Sequence, residues 1–139
     1  MSKLLQNKLW NIFVIEDNPD DVFLIELAIK KANINSSISV VNNGEDAISF
    51  LNKLIKVKEK LPDLILLDIN LPKIKGLEVL QNIKSNKFIK LIPAVVFTSS
   101  DSSSDMNYCY QNGVDLYIRK PNNIRDFKEI MLYIKNYLS

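Results

Sequence analysis

Short unbroken apolar runs alternate along this chain with longer stretches in which apolar residues recur every three or four positions. Residues 12–15, 64–67 and 94–97 are continuously apolar, the pattern of strands buried on both faces of a parallel sheet. Ser37-Ile38-Ser39-Val40 and Val114-Asp115-Leu116-Tyr117-Ile118 instead alternate in character, which suits edge strands with one wet face. Between these runs, five groups carry the helical period: Val22, Ile25, Ile29 and Ala32; Ile48, Leu51 and Ile55; Leu77, Leu80 and Ile83; Met106 and Tyr110; and Phe127, Ile130, Met131, Ile134 and Leu138. Asn18-Pro19-Asp20-Asp21 has the form of a helix start, with Asn18 as N-cap, Pro19 at the first helical position and two acids facing the positive end of the dipole. On this reading Asp20 and Asp21 serve the helix.

Five strands alternating with five helices predict an α/β fold, a doubly wound (βα)₅ parallel sheet. Its crossovers are right-handed, its helices cover both faces, and 2-1-3-4-5 is the common strand order at this size. That order puts the two alternating strands at the edges. With 139 residues and 47% hydrophobic content, the expectation is a single domain over residues 1–139. The charge-rich stretch 53–60 reads as a solvated helix end, not a boundary.

Composition narrows the function by exclusion. The formal charge of +2 arises from 18 basic and 16 acidic residues dispersed along the chain, so no basic block points to nucleic acid. No run approaches the roughly 18 apolar residues of a membrane span, and residues 1–9 are too short and polar for a signal peptide. With Cys109 as the only cysteine, no internal disulfide forms, which fits a cytoplasmic protein, and Cys109 is expected to be an inert packing residue. Histidine is absent. That excludes histidine acid/base catalysis, histidine metal ligation and a phosphohistidine carrier.

In such a sheet, ligands gather at the carboxyl ends of the central strands, at the switch point between strands 1 and 3. Strand 1 ends in Glu16-Asp17, strand 3 in Asp68, strand 4 in Thr98-Ser99 and strand 5 in Arg119-Lys120-Pro121. Carboxylates crowded at one rim raise each other's pKa unless a cation compensates. Mg²⁺ needs only one or two carboxylates and completes its shell with water and phosphate oxygens, so Asp17, Asp68 and a backbone carbonyl suffice for an open site.

The residues Phe13-Val14-Ile15-Glu16-Asp17-Asn18, the run 64–76 with Asp68, Asn70, Pro72 and Gly76, Val96-Phe97-Thr98-Ser99 and Tyr117-Ile118-Arg119-Lys120-Pro121 together resemble response-regulator receiver domains. The resemblance covers about residues 10–137, and the order and spacing of separate signatures make it specific. It implies a flavodoxin-like fold, a single receiver domain without an output domain, and two-component signalling. Asp68 is then the phosphoacceptor, taking its phosphoryl group from a phosphohistidine. Glu16, Asp17, Asp68 and the Asn70 carbonyl form the Mg²⁺ site, with Glu16 acting mainly through water, while the Asn70 side chain points toward the hydrolytic water. Thr98, Ser99 and Lys120 receive the phosphoryl group, and the Lys120–Pro121 bond is expected to be cis. Thr98 and Tyr117 form the switch, with the Tyr117 ring rotating inward from solvent as Thr98 moves toward the phosphoryl group.

Such a protein is a phosphoacceptor and not an enzyme beyond its own phosphotransfer and autodephosphorylation. Its expected partners are a sensor histidine kinase or histidine phosphotransfer protein and a downstream protein target. The fourth helix, fifth strand and fifth helix, with Met106, Tyr110, Phe127 and Tyr133, are expected to form the partner surface and a homodimer interface. The extended connection at 53–61 and the 113–121 segment further resemble receivers that serve phytochrome-type sensor kinases. Two rivals fit less well. A haloacid-dehalogenase-type phosphatase resembles a D-x-D motif, but position 70 is Asn. A flavodoxin-type flavin carrier needs a phosphate loop after strand 1, where residues 16–20 are acidic.

Overall fold

The computed structural model describes residues 8–139; the reading of the first seven residues lies outside them. The chain runs β1 (Trp10–Ile15), α1 (Pro19–Lys31), β2 (Ser36–Val41), α2 (Gly44–Val57), β3 (Leu64–Leu67), α3 (Gly76–Ser85), β4 (Ala94–Thr98), α4 (Ser103–Gln111), β5 (Leu116–Arg119) and α5 (Ile124–Leu138). The strands form one parallel sheet in the order β2-β1-β3-β4-β5, as the alternation predicts.

Period-two alternation divides the buried strand residues between two cores. Ile12, Val14, Leu64, Leu66, Val95 and Phe97 face α1 and α5, where they meet Ile25, Ile29, Phe127, Met131 and Ile134. Phe13, Ile15, Ile65, Leu67 and Val96 face α2, α3 and α4, against Leu51, Val79, Leu80, Ile83 and Cys109. β3 is buried along its whole length, whereas β2 and β5 are only partly covered. Among the described residues, no helix is long and apolar enough to cross a membrane.

Asn18 caps α1 as its sequence predicts, its side-chain oxygen accepting from the Asp20 and Asp21 N–H groups, with Pro19 following at the first helical position. Two expectations need correction, the start of β5 and the place of Phe127. β5 starts at Leu116, two residues later than predicted, because the Val114 N–H bonds the Cys109 carbonyl and only Asp115 joins the Ala94 carbonyl. On α4, Met106 and Tyr110 are exposed and Cys109 is the buried residue of that helix, as expected. Phe127, expected on a partner surface, lies in the core edge-on to Phe97, with ring centroids 5.3 Å apart.

Candidate functional site

The parallel sheet delivers the last residues of β1, β3, β4 and β5 to one rim. Asp68 follows β3 directly, and its N–H donates to the Ile15 carbonyl at 3.0 Å, which locks the two strand ends together. Its carboxylate is buried at 5% exposure and accepts from three donors. Oδ1 accepts from the Thr98 hydroxyl at 2.8 Å and from the Asn70 N–H at 2.9 Å, while Oδ2 lies 2.8 Å from Lys120 Nζ. The Lys120 N–H in turn donates to the Thr98 carbonyl at 2.8 Å, fixing the lysine backbone against β4.

Lys120 serves three carboxylates at once: Glu16 Oε1 at 2.5 Å, Asp21 Oδ2 at 2.8 Å and Asp68 Oδ2 at 2.8 Å. Both Lys120 and Glu16 are removed from water, and a charge is tolerated there only when paired. Burial alone would raise the Asp68 carboxyl. Hydrogen bonds from Lys120, the Asn70 N–H and Thr98 outweigh that effect and hold it below the usual carboxylate range. Glu16 goes the other way: burial pushes it up to about 7, and the charge of Asp68 adds to the rise, against Lys120 and the Asn18 N–H. For Lys120, burial works against the charge, but bonds to Asp21, Asp68 and Glu16 prevail and hold the ammonium well above its ordinary range. Asp68 is therefore the carboxylate of the pair that favours its ionised form.

Glu16, Asp17 and Asp68 offer carboxylate oxygens that lie within 4.8 Å of one another, with Asp17 exposed and the other two buried. All-oxygen donors with one face open to solvent suit a hard divalent cation that keeps some of its own water, so these residues fit the expected metal. Thr98 is fully buried, and Ser99 beside it is exposed. The Asn70 side chain is exposed at the rim, its Nδ2 3.5 Å from Thr98 Oγ1.

Two details differ from expectation. The Lys120–Pro121 bond is trans, as are all peptide bonds among the described residues; for a bond before proline the two isomers differ by only about 0.5–1 kcal/mol, so surrounding packing selects. The Tyr117 ring is also already turned inward. It packs against the core under β5, and its hydroxyl donates to the Ser100 carbonyl at 2.9 Å, while burial keeps that hydroxyl above the usual tyrosine range. Asp21 was missed by the sequence reading, which gave it to the helix dipole alone. The available signal was topological: α1 begins at the same rim where β5 ends.

The family of response regulator receiver domains matches residues 12–132. A probable methanogenesis regulatory protein, FilR2, of Methanothrix harundinacea is 35% identical over 126 residues, 91% of this chain and 81% of that protein. Response regulator Rcp1 of Synechocystis is 34% identical over 127 residues, 91% of this chain and 86% of that protein. The structure of its Mn²⁺-bound form superposes with a TM-score of 0.82, covering 92% and 93% of the two chains at 33% identity. The phosphorylated cyanobacterial phytochrome response regulator RcpA gives a TM-score of 0.86 at 35% identity, covering 94% of each chain.

Proposed function

Since the chain belongs to the receiver-domain family of two-component response regulators, we propose that Asp68 is its phosphoacceptor and that its phosphorylation switches a protein-interaction surface. The observation that carries this reading is the setting of Asp68: a buried, ionised carboxylate at a strand end, held by Thr98, Asn70 and Lys120 next to two more carboxylates.

Asp68 attacks phosphorus while the bond from phosphorus to the donor histidine nitrogen breaks, and the bonding electrons stay on the imidazole. The transferred group spreads negative charge over its equatorial oxygens. Lys120 is placed to follow that charge, and the Thr98 hydroxyl and exposed Ser99 border the space where it develops. Glu16, Asp17, Asp68 and the Asn70 carbonyl would hold Mg²⁺, which when bound would supply positive charge against the carboxylates and the incoming group. Thr98 and Tyr117 carry the switch.

The donor is a sensor histidine kinase or a histidine phosphotransfer protein; similarity to the phytochrome response regulator RcpA supports a phytochrome-type kinase. The downstream target is a protein rather than nucleic acid or a membrane, and the free, buried Cys109 supports a cytoplasmic setting. The face of α4, β5 and α5 serves as the partner and homodimer surface, supported by exposed Met106, Tyr110 and Tyr133. Intact-mass measurement after acetyl phosphate and Mg²⁺ is expected to show one added phosphoryl group in wild type and none in Asp68→Asn. An unchanged yield in that variant overturns the assignment.

A further inference from the structure

We propose that Asp21 is a positioning residue for phosphotransfer, holding the Lys120 ammonium beside Asp68 where it can donate to a phosphoryl oxygen bound there. This rests on Asp68 being the phosphoacceptor. An ammonium has three N–H donors, and here Glu16, Asp21 and Asp68 accept from it at 2.5–2.8 Å. Once Asp68 Oδ2 or its neighbour is bonded to phosphorus, the donor that served Asp68 turns to a phosphoryl oxygen. The other two anchors then decide where the amine stands.

Those anchors come from different elements. Glu16 directly follows β1, and Asp21 sits in the first turn of α1, 99 residues from Lys120. The Asp21 backbone is itself fixed, because its N–H donates to the Asn18 cap. With Glu16 alone, the flexible four-carbon lysine stem pivots about one contact. With both, the amine is held from two sides before the donor arrives, so less ordering remains to be done in the transition state. Asp20, one residue earlier and of the same charge, is exposed, which provides a control for charge without contact.

The test uses the full chain with acetyl phosphate and Mg²⁺. In this reaction Asp68 forms a bond to phosphorus, the bond from phosphorus to the acetate oxygen breaks, and the electron pair leaves with acetate. In Asp21→Ala the phosphorylation rate at saturating acetyl phosphate is expected to fall on the order of 10-fold, in line with loss of positioning. Asp21→Asn keeps an oxygen acceptor and is expected to lose less, and Asp20→Ala to match wild type. A second readout is the Lys120 ammonium resonance in ¹H–¹⁵N spectra, assigned with Lys120→Met. Burial and three acceptors are expected to slow its exchange enough to observe it, and Asp21→Ala to broaden or shift it while Asp20→Ala leaves it in place. An unchanged or faster rate in Asp21→Ala, an unaltered Lys120 resonance, or an equal loss in Asp20→Ala overturns the proposal. If wild type takes no phosphoryl group on Asp68, the phosphoacceptor reading fails, and the Lys120 resonance still decides whether Asp21 holds the amine.

Discussion

The Thr98 hydroxyl donates to Asp68 Oδ1 at 2.8 Å, between two buried side chains thirty residues apart at the ends of adjacent strands. Two residues beyond Thr98, the Ser100 carbonyl accepts the Tyr117 hydroxyl. The acceptor carboxylate and the aromatic ring of β5 are thus joined through one short segment after β4.

That linkage predicts a transmitted response. Beryllofluoride with Mg²⁺, a phosphoryl mimic, is expected to shift the Tyr117 ring resonances in wild type, and Thr98→Ala to remove most of that shift. The same substitution removes a hydrogen bond to a charged group and is expected to lower stability by about 1.5–3 kcal/mol. A full Tyr117 response in the variant would break the proposed connection.

Asp17 is the exposed member of the carboxylate cluster and has no part in the Lys120 network. Asp17→Ala is therefore expected to weaken Mg²⁺ binding by at least the roughly 10-fold associated with losing a supporting contact at a metal site, with little change in folding. Calorimetric titration decides it: equal affinities would remove Asp17 from the ligand set.

Gly76 opens α3 directly behind Asp68. A side chain there would run into the Ile69 Cα and the Asp68 carbonyl oxygen, both backbone atoms that cannot swing aside. Gly76→Ala is expected to cost about 1–3 kcal/mol, as overpacking does, and to slow phosphorylation by moving the Asp68–Asn70 turn. Urea denaturation followed by circular dichroism reads the first effect. An unshifted midpoint would show that the loop yields without strain.

On the face of α4, β5 and α5, Met106, Tyr110 and Tyr133 are exposed at 39%, 50% and 55%. If this face pairs with itself in the active state, beryllofluoride with Mg²⁺ is expected to strengthen self-association, since a ligand shifts only equilibria between states it binds differently. Light scattering that finds a monomer with and without the mimic, up to about a millimolar, the weak end of specific affinity, would leave a different protein as the partner of that face.

The sheet was legible because its signals are local. Unbroken apolar runs at 64–67 and 94–97 have few alternatives to buried parallel strands, and Asn18-Pro19 states its own cap. The rim residues Glu16, Asp17, Asp68, Thr98 and Lys120 followed from the strand ends, because a parallel sheet carries every strand terminus to the same side. What the sequence left undecided were orientations and partners. Phe127 reads with Met106 and Tyr110 as part of the partner surface, with no local mark that it alone of the three faces the core, and Asp21 looks identical to Asp20 as a first-turn acid. Tertiary structure separates these cases, because a side chain's energy depends on which neighbours remove it from water. Bringing α1 beside the end of β5 turns Asp21 into a buried ammonium's counter-ion and leaves Asp20 solvated.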